Sequence, residues 1–337
     1  MRAKSQHHKF PIIGQRRDLR TSATVQLLVK VLLIVNPSAS SVTARGRVVI
    51  TKALAADHEV TVSETARRGH ATRLAAAAAA EGTDVVVVLG GDGTLNEAAN
   101  GLAGSTTALA AVPGGSTNVF ARTLGLPDDP IEATGALLDA LAHNSIRRIG
   151  LGSVNGRYFL FHVGIGFDAA VVAEVERRGS LKRWANHALF GWAAFETWFR
   201  RYDRKHPHFR VLVDGHPAVD DAMFTVCLNT DPYSFIGTRP FTIAPEASLD
   251  RPLTTFTLRT LDAIPMVQIL SSALGSGRRL RTNKNVSFHT DVTHVEIDGY
   301  GPVPHQVDGD YLGDVEHLEL RYEPDTLSLV VPRVTPR

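Results

Sequence analysis

An apolar run, Val85-Val86-Val87-Val88-Leu89, enters Gly90-Gly91-Asp92-Gly93-Thr94-Leu95-Asn96-Glu97. A buried strand, a glycine turn and a helix start in that order let backbone N–H groups approach an anion at a helix N-terminus, a phosphate-binding geometry. Asp92 is unusual there, because a carboxylate repels phosphate unless a cation bridges the two or the carboxylate accepts a hydroxyl proton. A magnesium-bound nucleotide resolves the conflict. The pattern recurs where Ala108 to Val112 ends in Pro113-Gly114-Gly115-Ser116-Thr117-Asn118 and a helix is expected from Val119. Two further strand ends carry polar or glycine residues: Asn36-Pro37-Ser38-Ala39-Ser40 after Val31 to Val35, and Thr65 with Gly69-His70-Ala71 after Glu59 to Val62. Ligands of open α/β sheets bind outside the carboxyl ends of the strands, so these loops are expected to line one pocket. A lone glycine pair is more simply a turn; the joint pattern carries the functional reading.

The loops need an α/β scaffold. Apolar runs alternate with helical segments such as Thr43 to Ala56 and Ala71 to Ala80, the rhythm of a mainly parallel sheet. After about Ile146 short β-rich runs follow, separated by hairpin signals at Asn155-Gly156, Asp214-Gly215, Asp298-Gly299 and Asp308-Gly309. Helical insertions are expected near Ala169 to Arg178, Trp184 to Tyr202 and Ile264 to Leu274. The 337 residues suit two domains at ~150 residues each. The expected division is a basic, disordered arm at 1–29, a nucleotide-binding α/β domain at 30–147 and a β-rich substrate domain at 148–331. The last strand is free to return to the first domain, and the two domains are expected to share a cleft.

Hydrophobic residues at 44% and charged residues at 21% exclude a disordered or collagen-like chain. No stretch approaches the ~20 apolar residues of a spanning helix. A single Cys227 excludes a disulfide framework and a Cys-based zinc site, so the cytoplasm is the default. The net charge of +2 argues against a nucleic-acid binder. It is uneven, however: residues 1–30 carry seven Lys and Arg against Asp18 alone, a local +6 that leaves −4 for the remainder. Such an arm is a solvated tail or an attachment to an anionic membrane.

The glycine motifs with Asn36-Pro37, followed by Gly164-Ile165-Gly166-Phe167-Asp168-Ala169, Asn229, Gly237, Ala244-Pro245 and Asp308-Gly309-Asp310, resemble the diacylglycerol kinase catalytic-domain family, which includes bacterial lipid kinases and sphingosine kinases. The resemblance extends over most of Val31 to Val331. It implies a phosphofructokinase-like α/β nucleotide domain and a C-terminal antiparallel β-sandwich, with ATP and lipid meeting between them. By family pattern, Gly90, Gly91, Asp92, Gly93, Thr94 and Glu97 would bind nucleotide phosphate, with Asp92 holding Mg2+ and Asn36, Thr65, Gly115, Ser116, Thr117 and Asn118 around them. Asp310 stands where the family carries a glutamate proposed as the base, and Asp168 is placed at the cleft, where it could hydrogen-bond a substrate hydroxyl or a magnesium-bound water. The chain departs from the family at Val119, where an acid is usual, and at Leu249-Asp250-Arg251-Pro252, where an Asp-Asp-Gly stretch helps hold a structural magnesium. Arg251 could replace that ion's charge, so no second metal site is expected.

Trp184, Trp192 and Trp198 recur with Ala188, Phe195, Phe199 and Tyr202 at helical intervals between cationic ends. An amphipathic helix of this kind caps a domain or lies on a membrane. The leading expectation is an ATP- and magnesium-dependent lipid kinase acting on diacylglycerol at the cytoplasmic membrane face, peripheral and without nucleic acid, with a homodimer left open. Its rivals are a soluble NAD-kinase-like enzyme and a non-catalytic lipid- or nucleotide-binding protein.

Overall fold

The structure, a computed structural model, describes residues 28–177, 194 and 196–333. Most of the basic arm, together with Trp184, Ala188, Trp192 and Phe195 of the aromatic segment, lies outside the described residues. The described residues open with β1 (Lys30–Val35), α1 (Ala44–Ala55), β2 (Glu59–Glu64), α2 (His70–Ala80), β3 (Val85–Gly90), α3 (Asp92–Leu102) and β4 (Ala108–Pro113). These strands pair in parallel in the order β2-β1-β3-β4. Every residue of β3 and β4 is buried because helices cover both faces, which is why these strands read as unbroken apolar runs. One face receives α2 and α3 through Ala71, Ala75, Leu95, Ala99 and Leu102. The other receives α1 and, after α4 (Val119–Thr123), α5 (Pro130–Ala142) through Ile50, Leu54, Leu137 and Leu141. The alanine tract permits close helix packing: a Cβ on Gly101 of α3 would stand 2.3 Å from the Thr72 carbonyl oxygen of α2.

From β5 (Ile146–Val154) the pairing turns antiparallel, through β6 (Arg157–Phe159), β7 (His162–Gly166), α6 (Phe167–Arg177), β8 (Phe209–Val213), β9 (His216–Ala222) and β10 (Phe224–Leu228). A separate hairpin, β11 (Ser234–Ile236) with β12 (Arg239–Phe241), precedes β13 (Leu253–Leu258), α7 (Ala263–Ala273), β14 (Val286–Val292), β15 (His294–Val307) and β16 (Asp310–Val330). One sheet runs in the order β14-β13-β10-β7-β15-β16-β4-β3-β1-β2. Its continuity depends on β16, which pairs antiparallel with β15 and β5 and then lies parallel beside β4, with Ser328 opposite Ala108 and Leu329 opposite Leu109. The architecture is therefore mixed α/β with a β-rich C-terminal part. Of the aromatic segment, Thr197–Arg201 form a π-helical turn whose Trp198 indole N–H donates to the Leu261 carbonyl at 2.7 Å, beneath the start of α7.

Three of the four expected hairpin turns form, each with both central residues at positive φ: Asn155-Gly156, Asp214-Gly215 and Asp308-Gly309. Asp298-Gly299 is a correction, because it lies inside β15 and turns nothing. Its carboxylate accepts from Arg210 Nε at 2.9 Å on β8 and pairs with His317 Nδ1 at 2.7 Å on β16, so neighbours on both sides hold it extended. No helix among the described residues is long and apolar enough to cross a membrane.

Candidate active site

The two glycine loops pack on each other. Gly114 N–H donates to the Gly90 carbonyl at 2.8 Å, a Cβ on Gly114 would stand 2.9 Å from Gly90 N, and one on Gly115 would stand 2.8 Å from Gly91 Cα. Gly114 and Gly115 are thus required by loop-on-loop contact. Asp92 begins α3, and its two carboxylate oxygens accept the N–H groups of Val119 at 2.9 Å and Phe120 at 3.1 Å, tying the start of α4 to the start of α3. Where the family has an acid, Val119 therefore contributes its backbone. Burial pushes the Asp92 carboxyl up from its ordinary value, the two N–H groups pull it back, and the nearby charge of Asp310 pushes it up again.

Asn36 donates to Thr94 Oγ1 at 2.9 Å and accepts from Ser38 N at 3.0 Å, holding the first strand end against α3. Asn118, at φ 47°, closes its own loop by accepting from Gly115 N at 2.8 Å and donating to Gly115 O at 2.9 Å. Ser116 is exposed and Thr117 half-buried at the loop tip, while half-buried Thr65 follows β2. Glu97, expected among the phosphate-binding residues, has its carboxylate engaged elsewhere: it accepts from Gly69 N at 2.7 Å and Ala71 N at 3.1 Å, capping α2, which has no side-chain cap of its own. Glu97→Ala should lower stability by about 1–2 kcal/mol in urea denaturation, with Glu97→Gln milder because one acceptor survives.

From the β-rich part, Asp310 reaches the first loop. Its Oδ2 lies 3.2 Å from the position a Cβ on Gly93 would take. Arg68, from the segment between β2 and α2, pairs with Asp310 at 3.2 Å and Glu176 at 3.7 Å. Three stretches of chain thus meet over the glycine loop. The enclosed space among Gly90, Gly91, Asp92 and Asn118 is only about 10 Å³, so a nucleotide would lie across the open face of the loops. Among the described residues no group of three or more His, Cys, Asp or Glu side chains could hold a metal. Asp92 and Asp310 still suit a magnesium nucleotide, since Mg2+ is commonly held by one or two carboxylates plus substrate phosphates, and a cation would relieve the opposition between these two charges.

Asp168 is buried. It accepts from the Tyr233 hydroxyl and from Gln306 Nε2 at 2.7 Å, and burial pushes its carboxyl up while these two bonds pull it down. Gly164 makes room for it, because a Cβ there would fall 1.7 Å from Asp168 Oδ2. Gln306 Oε1 in turn accepts from Gly309 N at 2.7 Å, so Asp168 reaches the turn preceding Asp310 through Gln306. On the other side of that turn, Asp308 accepts from Leu160 N at 2.7 Å, Phe161 N at 3.0 Å, His162 N at 3.1 Å and Asn96 Nδ2 at 2.7 Å. Sequence reasoning missed Arg68, Asn96, Tyr233 and Gln306. Asn96 and Gln306 lie within or beside the quoted motifs, but nothing local marks what they touch. Asn229 bonds Gly152 N and the Phe159 carbonyl inside the β-rich part, and Arg251 pairs with Asp291 of β14.

Residues 30–154 match the diacylglycerol kinase catalytic domain. The chain is 40% identical over 114 residues to a diacylglycerol kinase of Bacillus subtilis, covering 33% of this chain and 36% of that protein. It is 39% identical over 153 residues to a Pseudomonas aeruginosa protein named as a YegS-like lipid kinase, covering 45% and 47%. The matched stretches thus span about a third to a half of these relatives' lengths. The fold is similar to that of a Bacillus anthracis protein named as a diacylglycerol kinase, with a TM-score of 0.73 at 21% identity over 93% of this chain and 98% of that one. Over residues 30–154, this chain is therefore similar to the diacylglycerol kinase catalytic domain and to kinases named for diacylglycerol and lipid.

Proposed function

We propose that the chain is an ATP-dependent lipid kinase that transfers the γ-phosphoryl group to a lipid hydroxyl, with diacylglycerol as acceptor. The observation that carries this reading is Asp310 lying over Gly93, a carboxylate of the β-rich part held at a glycine loop of the kinase-family domain. Residues 30–147 would bind nucleotide and 148–331 the lipid, with β16 joining them; the shared core of Val163, Val211, Cys227 and Ile297 supports reading the second part as a sandwich. Bound magnesium-nucleotide would supply the phosphoryl group and neutralise its developing charge. Gly90, Gly91, Gly93, Gly115, Ser116 and Thr117 present backbone and hydroxyl groups to the phosphates, while Asn36 and Asn118 shape the loops and Thr65 stands at their edge. Asp92 holds both loops together and offers its remaining lone pairs to the cation. Asp310 accepts the acceptor hydroxyl's proton as that oxygen attacks phosphorus, and Arg68 orients Asp310. Asp168 acts through Gln306 as a positioning residue. The protein would work peripherally at the cytoplasmic membrane face.

Labelled-phosphate transfer from ATP to a panel of lipids, sugars and NAD tests the reading. Transfer to diacylglycerol that disappears in Asp92→Ala is the expected result, whereas transfer to NAD alone, or to nothing, would overturn it.

A further inference from the structure

Three apolar side chains of α7, and Leu274 at its C-cap, face outward: Ile264 is 75% exposed, Val267 67%, Leu270 44% and Leu274 43%. Helical spacing places them in one stripe, opposite Ile269 and Ala273, which are buried against the core that also receives Phe167, Trp198 and Tyr233. Immediately after α7 comes a 3-10 turn, Arg278–Thr282. Arg278, Arg279 and Lys284 are exposed, and among the described residues none of their side chains pairs with an acid. Arg281 differs, since it pairs with Glu246 at 3.0 Å. Between helix and turn lies an open groove of about 840 Å³, lined by Val267, Gln268, Ser271, Ser276, Arg279 and Lys284. Val267 of the apolar stripe thus borders the same concavity as Arg279 and Lys284, and the rest of the stripe continues along the helix beside it.

We propose that this face docks on an anionic lipid bilayer, with Ile264, Val267, Leu270 and Leu274 entering the headgroup–acyl boundary and Arg279, Lys284 and Arg278 meeting lipid phosphates. Charge complementarity selects this occupant: the cations are uncompensated among the described residues, hydroxyl and amide groups flank them, and the stripe is one helix face wide, as in helices that lie in the membrane interface. At eleven residues, α7 is too short to span and suited to lying flat. The surface belongs to the part of the chain that carries Asp168 and Tyr233, where the lipid would be received. The proposal deepens the lipid-kinase reading, but its test needs neither ATP nor transfer, so either can fail without the other.

The test is co-sedimentation of the full chain with phosphatidylcholine vesicles and with vesicles in which about a third of the lipid is phosphatidylglycerol. The chain should partition onto the anionic vesicles roughly tenfold better, an advantage that added salt erodes. Arg279→Ala with Lys284→Ala should remove that preference, and Val267→Ser with Leu270→Ser should lower binding to the anionic vesicles by roughly tenfold. Circular dichroism and Tm should be unchanged in both pairs, because all four side chains are exposed. Folded variants that sediment like the parent chain would overturn the proposal. So would a parent chain that stays in solution with both vesicles, or one whose α7 face proves to join two copies.

Discussion

Asp310→Ala should reduce phosphoryl transfer from ATP by about a hundredfold to ten-thousandfold, the usual range for removing a general base. The fall should appear chiefly in kcat, with a smaller rise in KM for ATP because Asp310 also stands beside the cation position it would share with Asp92. Stability should barely move: the Arg68 partner of Asp310 is 63% exposed, so the ion pair is largely screened. Asp310→Asn, which keeps the shape and loses proton affinity, should be nearly as inactive. Asp310→Glu should retain much of the activity, since the carboxylate remains and gains one methylene of reach. Steady-state transfer assays of the three variants decide the matter, and parent-like turnover in Asp310→Ala would end the assignment of the base.

Asp308→Asn should have the largest effect on stability, about 2–4 kcal/mol in urea denaturation. Four N–H groups converge on the two Asp308 oxygens, and an amide offers only one oxygen, so donors at Leu160 or at Phe161 and His162 would face an NH2 group. The loss also falls on position, because Asp308 joins Asn96 at the first glycine helix to the turn that carries Asp310. Its pH dependence has a definite sign. Burial raises the Asp308 carboxyl from 3.8 to about 6, overriding the N–H groups that lower it, so the folded protein holds this proton more tightly than the unfolded chain. The stability conferred by the proton is fully present below pH 3.8 and is lost as pH rises to about 6, a change of roughly 3 kcal/mol. The parent and Asp308→Asn curves should therefore converge over that interval and run parallel above it. Divergence with rising pH would contradict the account.

Much of the first half was legible without coordinates. Val85 to Leu89 and Ala108 to Val112 read as strands because burial on both faces leaves no polar position, and the paired glycines mark loops that approach each other too closely for a Cβ. Asp-Gly and Asn-Gly pairs located three turns by their positive φ values, and the same chemistry misled at Asp298-Gly299, where cross-strand partners on β8 and β16 outweighed the local preference. Glu97 shows the same limit within a motif. Its position suggested phosphate, but the nearest unsatisfied groups were the backbone donors of α2, a helix that ends up beside α3 only after folding.

Local order along the chain therefore settled where the two glycine loops lie and which acids were available, since strand burial, glycine backbone freedom and turn geometry act over a few residues. Tertiary structure decided which acid meets which loop. Asn96 and Asp308 are 212 residues apart and bond only because β16 returns to lie beside β4. That crossing holds Asp310 over Gly93, seats Asp168 behind Gln306 and brings Arg68 to the same point. Each of these contacts is a meeting of distant segments, which no spacing rule encodes.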